Sequence, residues 1–324
     1  MTAEPAARRS AGEDPPARTV FFGSGGFAVP ILDAALEAPE IDVVAVVSAP
    51  DRPAGRRAVV TPSPVAARAR RLGLPLLQPA RLRSPDAVAA IAELRLDFGL
   101  LADYGQIVPR AILELPRHGI LNVHPSPLPR HRGATPIPAT ILAGDEATAV
   151  VLIRMDESLD TGPIVAGAAT DVHPAERAPE LEARLARLGA DLVRRSVGRW
   201  LRGEIQAQSQ ATDGVTLTRP LRRDDGRLDP ALPAATLERQ VRAFDPWPGT
   251  WLETQAGRIG VRRAHVEDDV SRATPGRFGP GPDLRIGTGD GWLVLDEVQP
   301  AGGRLMAGAA LLRGRPSLAS SHIA

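Results

Sequence analysis

Two residue types are missing from this chain of 324 residues, and each absence excludes a kind of chemistry. Without cysteine there can be no disulfide, no thiolate nucleophile and no zinc–thiolate site. Without lysine all 39 basic residues are arginine, which excludes a Schiff-base lysine and the lysine of a P-loop. Aromatic residues make up only 3% of the chain, so its cores must be built from Ala, Val, Leu and Ile.

Long apolar runs are missing as well. No stretch reaches about 20 apolar residues, so we expect no transmembrane helix. The pair Arg8-Arg9 is not followed by the apolar segment that twin-arginine export needs. Together with the lack of cysteine, this favours a cytoplasmic protein. Residues 1–17 are rich in alanine, proline and charge, and we expect them to form a disordered tail.

The formal net charge of +1 says little about partners, but the distribution of charge says more. Residues 49–72 carry six arginines against one aspartate. Such a local excess attracts phosphate groups, and it also fits the solvated face of a helix. Composition alone does not separate these two interpretations.

Short apolar runs alternate with helical patterns through the first 200 residues. Val43–Val47 is a continuous β-branched run, typical of a buried strand. Thr61-Pro62 offers a cap and a first-turn proline for a helix over 62–72. This order of elements predicts an α/β fold with a doubly wound, mainly parallel sheet over residues 18–203, ending in a long helix at about 177–202.

The last third of the chain has a different pattern. The polar residues 204–220 are predicted to form a linker. Residues 221–324 contain one helical segment, about 234–244, and several short strand patterns between Gly/Pro turns, which together predict a small β-barrel domain. Trp247 and Trp251 are expected in its core rather than on its surface.

One constellation of polar residues points to chemistry. A predicted strand at about 119–123 delivers Asn122 and His124 two positions apart, so their side chains share a face. A second apolar run, 150–155, ends shortly before Asp160. An amide, an imidazole and a carboxylate at strand ends suit proton transfer beside a carbonyl group. Taken alone, each of these residues favours a turn or a structural role.

A competing motif lies near the start. Residues 23–28 match the G-x-G-x-x-A pattern of dinucleotide-binding turns, between a predicted strand and a predicted helix. The acidic residue expected at the end of the second strand is missing, because that strand ends in Ser48-Ala49-Pro50 and Asp51 lies in a proline-rich loop. A nicotinamide-dependent oxidoreductase is therefore the less favoured alternative.

Three motifs resemble the folate-dependent formyltransferases: Asn122-x-His124-x-Ser126-x-Leu128-Pro129, then Arg132-Gly133-Ala134-Thr135-Pro136, then residues 156–162 with Asp160. Residues 26–30, 50–56 and 243–248 are similar to the branch of that family that acts on initiator Met-tRNA. The resemblance runs from about Thr19 almost to the C-terminus. The joint occurrence of Asn122, His124 and Asp160 at the family's spacing favours a catalytic role for all three.

The resemblance implies transfer of a formyl group from the co-substrate 10-formyltetrahydrofolate to the amino group of methionine on initiator tRNA. Asn122 would then donate a hydrogen bond to the developing oxyanion. His124 would accept the amine proton. Asp160 would orient the imidazole, stabilise its charged form or relay the proton through water. No metal is expected, because the chain has six histidines, no cysteine and no His pair at i, i+4.

The resemblance also implies two binding regions and an OB-like C-terminal domain that contacts tRNA. Ser126 is expected to shape its loop rather than to act as a nucleophile. Departures from the family pattern occur at Asp103, Pro127 and His131, and at residues 58–60, where Ala-Val-Val replaces lysines. The folate site is expected at Leu101, Ala102, Asp103, Tyr104, Gly105, Ser126, Pro127, Leu128 and Pro129, and tRNA contacts at Arg52, Arg56, Arg57, Arg130 and Arg132.

Two further alternatives stay open at this point. The chain could formylate an amino sugar or glycinamide ribonucleotide, since those enzymes share the three polar residues and do not need the arginine-bearing loop 50–56. It could also be an RNA-binding protein without catalytic activity. We expect a monomer, and this expectation rests on no specific residue.

Overall fold

The fold is that of a computed structural model, which describes residues 15–54, 58–255, 257–267 and 273–323. Arg56 and Arg57, both predicted to contact tRNA, and the first 14 residues of the predicted tail lie outside the described residues. The first strand begins at Ala17, the last residue of that tail. No helix in these ranges is long and apolar enough to cross a membrane.

By contacts the chain divides into two compact units, each built from several segments. The first unit holds the described residues up to His124, together with Val151–Ala166 and Ala186–Ser209. The second holds Pro125–Val150, Gly167–Leu185 and the residues from Gln210 onward. The second unit therefore contains segments from both sides of the predicted linker at 204–220. Because the units do not follow a single division of the chain, the predicted domain boundaries stay a prediction.

The elements of the first two hundred residues alternate as the sequence pattern predicts. The helices in this part are α1 (Ala28–Glu37), α2 (Pro64–Leu72), α3 (Pro85–Ala92), α4 (Arg110–Leu113), α5 (Pro136–Ala143) and α6 (Ala178–Leu201). The strands are β1 (Ala17–Gly23), β2 (Ile41–Val47), β3 (Arg52–Ala54), β4 (Val59–Thr61), β5 (Leu76–Leu77), β6 (Phe98–Ala102), β7 (Ile120–His124), β8 (Arg132–Gly133), β9 (Ala147–Arg154) and β10 (Ile164–Asp171).

Seven of these strands form one sheet, in the order β10-β9-β7-β6-β1-β2-β5. The pairs β5–β2, β2–β1, β1–β6 and β6–β7 are parallel, and β7 pairs antiparallel with β9. The chain adds strands first on one side of β1 and then on the other, so the prediction of a doubly wound, mainly parallel sheet is confirmed. In such sheets ligands bind beyond the carboxyl ends of the strands.

Burial explains why the strands read as apolar runs. All residues of β6 and β7 are buried, including the two polar residues of β7. Phe21, Phe22 and Phe98 are fully buried, so half of the six phenylalanines lie in this sheet. Because both faces of the inner strands are covered, an alternating pattern is not needed there.

Helix α2 begins two residues later than Thr61-Pro62 predicted. Its cap is Ser63, whose Oγ accepts a hydrogen bond of 3.0 Å from the amide of Ala66, and Pro64 occupies the first turn. Thr61 instead closes the hairpin β3–β4, where it pairs with Arg52. The sequence offers two consecutive pairs of a capping residue and a proline, Thr61-Pro62 and Ser63-Pro64. Thr61 belongs to the hairpin, so the second pair starts the helix.

The last part of the chain forms a curled antiparallel sheet, as expected of an OB-like domain. Its strands follow the order β12-β13-β15-β14, with β16 paired to β15. The elements from residue 217 onward are β11 (Leu217–Thr218), α7 (Ala234–Ala243), β12 (Thr250–Thr254), β13 (Gly257–Glu267), β14 (Arg285–Gly287), β15 (Trp292–Pro300), β16 (Met306–Ala307) and α8 (Gly308–Gly314), with 3-10 turns at Arg223–Gly226 and Pro316–Ser320. β11 lies outside this sheet.

Isolated bridges join the two edges of this sheet. Phe278 bridges to Ile286 of β14, Arg277 bridges to His322, and Ile323 bridges to Thr254 of β12. A chain of backbone pairs thus runs from one edge strand to the other. One cluster of buried residues in this sheet consists of aliphatic side chains and Phe278. Trp247 is 53% exposed, so its predicted place in the core is wrong.

The predicted linker is paired rather than loose. Gln208 and Ile164 exchange both backbone hydrogen bonds, at 2.7 and 2.8 Å. β11 pairs in parallel with β8. Gly133 in β8 has φ +110°, and a methyl group there would overlap with the carbonyl oxygen of Thr218. Glycine is therefore required for this close strand contact.

Candidate active site

Strand β7 presents the amide and the imidazole. Asn122 and His124 are 6% and 4% exposed and point to one face of the sheet. On the neighbouring strand β9 their partners are Ile153 and Val151. Because both side chains are buried beside these apolar neighbours, their polar groups must find partners in the protein.

Asp160 supplies those partners. The Nδ2 atom of Asn122 donates a hydrogen bond of 3.2 Å to Oδ1 of Asp160. The other carboxylate oxygen, Oδ2, lies 3.7 Å from Nδ1 of His124. This second distance is too long for a hydrogen bond and suits an ion pair when the imidazole is protonated. The structure thus brings the three predicted catalytic side chains together around a single carboxylate.

The loop that carries Asp160 is held from within. Oγ1 of Thr161 donates to both carboxylate oxygens of Asp156 at 2.8 Å, and the amide of Ser158 donates to the same group at 3.0 Å. A methyl group on Gly162 would overlap with the carbonyl oxygen of Arg154. The loop therefore returns tightly to the end of β9 because position 162 has no side chain.

The backbone of Asp160 itself is unusual, with φ +52°. This left-handed region is costly for most L-residues and less so for aspartate and asparagine. The loop accepts this conformation at the one residue whose carboxylate faces both Asn122 and His124. We take the strained backbone as part of how the carboxylate is aimed.

The residues after β6 fill the glycine-rich turn. Asp103 has φ +46°, and its carbonyl oxygen accepts hydrogen bonds from the amides of Ser24 at 2.9 Å and Gly25 at 3.4 Å. Its carboxylate occupies the place that a side chain on Gly25 would take. Asp103 keeps contact with solvent, but protein atoms crowd its carboxyl group, and this burial raises the pKa of that group.

This arrangement argues against a dinucleotide site at residues 23–28. The amides that would bind a pyrophosphate already bond Asp103, and an acidic group stands beside them. The hydroxyl of Ser24 also has a partner, since it accepts from the amide of Ala49 at 3.1 Å. The turn serves the contact between strand ends.

Tyr104 packs into the core beneath this turn. Its ring lies 5.8 Å from that of Phe22 at an angle of 58°, which is a common aromatic arrangement. Its hydroxyl group is buried without a hydrogen-bond partner among the described residues, and burial raises the pKa of Tyr104 to about 12. Leu101 and Ala102 are buried at the end of β6, and Gly105 is exposed with open space around it.

The loop after β7 is also held internally. Oγ of the fully buried Ser126 donates to the carbonyl oxygen of Arg130 at 2.7 Å, and the amide of Leu128 donates to that of Ser126 at 3.0 Å. The amide of Arg130 donates to the carbonyl oxygen of Pro127 at 3.2 Å. Ser126 thus shapes the loop, and Pro129 follows within the same turn.

Asp145 anchors the charged end of this loop, and sequence reasoning missed it. Its carboxylate binds the Arg130 guanidinium through two bonds, of 3.0 and 2.5 Å, and Nε2 of His131 at 2.8 Å. Burial works to raise the pKa of Asp145, but the hydrogen bonds from Arg130 and His131 outweigh burial and lower it. In sequence, Gly144-Asp145 after a helix reads only as a turn.

The predicted tRNA-binding arginines differ in how far they are engaged. Arg130 is bound to Asp145, and Arg132 donates through Nη2 and Nε to Oε1 of Gln210 at 2.6 and 3.1 Å. Arg52 lies exposed on β3. In the ranges that the structure describes, no group of three or more His, Asp or Glu side chains is placed to hold a metal ion.

Comparisons with known proteins bear on both halves of the chain. The family model described as "Formyl transferase" matches residues 17–197, and that described as "Formyl transferase, C-terminal domain" matches residues 220–316. A methionyl-tRNA formyltransferase of Chloroflexus aggregans is 44% identical over 301 residues, which are 92% of this chain and 97% of that protein. Its counterpart in Halorhodospira halophila is 45% identical over 302 residues, covering 92% and 96%.

Two solved structures share the fold at low sequence identity. An N-formyltransferase of Helicobacter canadensis, in complex with folinic acid and dTDP-3-aminofucose, has a TM-score of 0.65 at 15% identity and covers 86% of this chain and 98% of its own. HypX of Aquifex aeolicus, in complex with tetrahydrofolic acid, has a TM-score of 0.60 at 17% identity and covers 91% of this chain and 47% of its own.

Proposed function

Because the chain belongs to the formyl transferase family, we propose that it transfers the formyl group of 10-formyltetrahydrofolate to the methionine amino group of initiator Met-tRNA. The relatives that carry the name methionyl-tRNA formyltransferase match over nine-tenths of the chain. The observation that carries the proposed chemistry is the convergence of Asn122 and His124 on the carboxylate of Asp160. The reaction belongs to translation initiation, so we place it in the cytoplasm, and we propose that a monomer performs it.

The first step joins the two substrates. The unprotonated amine of methionine attacks the formyl carbon, and a tetrahedral intermediate forms with negative charge on the former carbonyl oxygen. A primary amide carries two N–H donors. One hydrogen of Asn122 Nδ2 is directed to Asp160, which fixes the amide, and the second is assigned to the oxyanion. A single donor of this kind contributes about 3–4 kcal/mol to transition-state stabilisation.

The second step moves a proton. Attack leaves the methionine nitrogen positively charged, and His124 accepts its proton as general base. The carboxylate of Asp160, 3.7 Å from Nδ1, stabilises the imidazolium that results. The bond from the formyl carbon to N10 of the folate then breaks, and N10 receives the proton that His124 took from the amine, which returns the imidazole to its neutral form. The products are formylmethionyl-tRNA and tetrahydrofolate.

The proposed folate-binding segments are the end of β6 with the residues that follow it, and the loop after β7. We assign the folate to the segment Leu101–Gly105, which is bonded through Asp103 to the glycine-rich turn, and to residues 126–129, whose loop is held by the side chain of Ser126. For tRNA we place Arg52 first, because it is exposed, whereas Arg130 and Arg132 are already engaged by Asp145 and Gln210. Exposed arginines on a hairpin suit phosphate contacts.

The test is a formyl-transfer assay with the purified chain, 10-formyltetrahydrofolate and initiator Met-tRNA. Parallel reactions offer a dTDP-amino sugar and glycinamide ribonucleotide as acceptors. We expect formylation of Met-tRNA alone. Transfer only to the sugar nucleotide or to glycinamide ribonucleotide would overturn the proposed substrate, and saturable NADH binding without folate binding would overturn the reaction class.

A further inference from the structure

The indole ring of Trp247 is exposed and has no role in the proposed chemistry. Of the four tryptophans, Trp292 is buried, Trp200 and Trp251 are half-buried, and Trp247 is 53% exposed. Trp247 lies in the turn between α7 and β12, within the second unit. Tryptophan is enriched where one molecule binds another, so an exposed indole on a folded turn is a candidate contact for a partner.

The turn that carries Trp247 is held by several contacts. The carboxylate of Asp245 accepts a hydrogen bond of 3.1 Å from Nε of Arg177. The amide of Gly249 donates to the carbonyl oxygen of the residue that follows α7, at 2.9 Å. A methyl group on Gly226 would overlap with the carbonyl oxygen of Gly249, so the turn packs tightly on the 3-10 turn that ends at Gly226. The ring is therefore presented from a fixed backbone, which limits the entropy lost on binding.

Arginines lie close to this ring. The guanidinium carbon of Arg223 is 6.0 Å from the ring centroid, the distance of a cation–π contact. Nη1 of Arg262 lies 2.9 Å from the point where a side chain on Gly249 would begin. Cationic groups are thus placed beside the ring and two residues further along its turn.

The charge of these two arginines is not neutralised by a carboxylate. In the part of the chain that the structure describes, Arg223 and Arg262 form no ion pair, and Arg262 bonds to the neutral side chain of Gln299 at 3.5 Å. Asp225, in the same 3-10 turn as Arg223, is bound by Arg219 through two bonds of 2.6 and 2.8 Å. Residues 219–227 carry four arginines against two aspartates. Such an excess attracts phosphate groups.

We propose that Trp247 is a stacking platform for an unpaired base of the tRNA substrate and that Arg223 and Arg262 bind the adjoining phosphates. The inference rests on the proposed function, which makes tRNA the acceptor. Every nucleobase offers a π-face to an exposed aromatic ring, and cations beside the ring match the backbone on either side of that base. A paired base is stacked within its own helix, so the platform selects unpaired nucleotides.

A protein is the competing ligand for an exposed tryptophan. A proline-rich peptide would dock on the ring without needing the arginines, whereas a polyanion uses both. The two ligands also predict different behaviour, because only the binding of a nucleic acid weakens steeply with salt.

The first experiment follows the tryptophan fluorescence of the full chain during titration with deacylated initiator tRNA and with a fully paired RNA duplex of equal length. Stacking of a base on an indole quenches its fluorescence. We expect tRNA to quench the wild-type protein much more than the duplex does, and Trp247→Leu to lose this quenching. The matched control Leu305→Ala, at a residue of the same unit that is 54% exposed, should keep it.

The second experiment measures formyl-transfer kinetics. We expect Trp247→Leu to raise the KM for Met-tRNA about 5- to 100-fold and to leave the KM for the folate unchanged, as the loss of one stacked base does. Trp247→Phe keeps an aromatic face and should recover most of this loss. Arg223→Gln should give a smaller rise and a shallower dependence of the KM on salt.

Two results would overturn the inference: an equal KM for Met-tRNA in the wild-type protein and Trp247→Leu, or equal quenching by the tRNA and the duplex. If the chain does not formylate Met-tRNA, the titration with deacylated tRNA still tests the platform, and a wild-type protein that is not quenched rejects it. If urea unfolding shows that Trp247→Leu is not folded, Arg223→Gln decides instead, since an unchanged salt dependence of tRNA binding in that variant rejects the site.

Discussion

Two loops with family motifs use their charged residues in opposite ways. In the loop 156–162, internal bonds from Thr161 and Ser158 hold Asp156, and Asp160 is left to face Asn122 and His124. In the loop 126–132, the charged residues fasten the loop to a residue outside it, since Arg130 and His131 bind Asp145, which follows α5. A motif therefore contains residues that face the candidate site and residues that hold the loop in place. The contacts of each side chain show to which of the two groups it belongs.

The largest loss of activity should come from replacing His124, which faces Asp160 of the loop 156–162. We expect His124→Ala to lower kcat for formyl transfer about 10²- to 10⁴-fold, because the general base is lost. The control is His265→Ala, on the exposed surface of β13 beside Asp296, with little change in kcat. Steady-state kinetics with Met-tRNA measure both, and undiminished kcat in His124→Ala would remove that residue from the mechanism.

The glycines of the two regions offer a matched pair. Gly162→Ala forces the loop away from Arg154 and displaces Asp160, so we expect kcat to fall about 10- to 100-fold, as small misplacements of reacting groups do. Gly133→Ala meets the carbonyl oxygen of Thr218 and should mainly lower the free energy of unfolding, by about 1–3 kcal/mol. Kinetics and urea unfolding of both variants would show the contrast, and a larger loss of kcat in Gly133→Ala would refute it.

Asp145 tests the building role of the second loop through pH. The pKa of Asp145 is lowered in the folded protein, so its ionised form stabilises the fold above the ordinary carboxyl value of about 3.9. That contribution is lost as the pH falls through the lowered pKa. We expect Asp145→Asn to cost about 1–3 kcal/mol of unfolding free energy at pH 7 and less below pH 4. A difference between the two proteins that does not depend on pH would contradict this account.

The smallest effect concerns an exposed arginine. We expect Arg52→Ala to raise the KM for Met-tRNA about three- to tenfold and to leave the KM for the folate unchanged, because one phosphate contact is lost. Arg202→Ala is the control, since Arg202 is already paired with Glu204. The KM effect of Arg52→Ala should diminish at high salt. An equal rise of both KM values would place Arg52 at the folate instead.

Local patterns predicted much of the fold and the meeting of the catalytic groups. That Asn122 and His124 share one face follows from the two-residue period of a strand. Asn122 is in addition the only asparagine in the chain. The shift of the α2 cap from Thr61 to Ser63 shows where local rules end. Both positions satisfy the capping pattern, and pairing in the hairpin β3–β4 decides between them.

Non-local contacts account for most of what the sequence does not reveal. The bridge from Thr254 to Ile323 joins residues far apart in the chain, and no periodicity records it. Asp145 looks like a turn residue until Arg130 and His131 are seen to reach it. Trp247, predicted for the core, lies among proline-rich turns with its ring exposed, 6.0 Å from the Arg223 guanidinium carbon.

The carboxylate of Asp103, seated against Gly25, has a consequence for how genomes are searched. A search that scores only the glycine pattern would assign this chain to the dinucleotide-binding proteins, although the Asp103 carboxylate occupies the space beside the turn. A search that also scores the residue after the adjacent strand, here Asp103 after β6, would separate such chains from true phosphate-binding turns before any protein is purified.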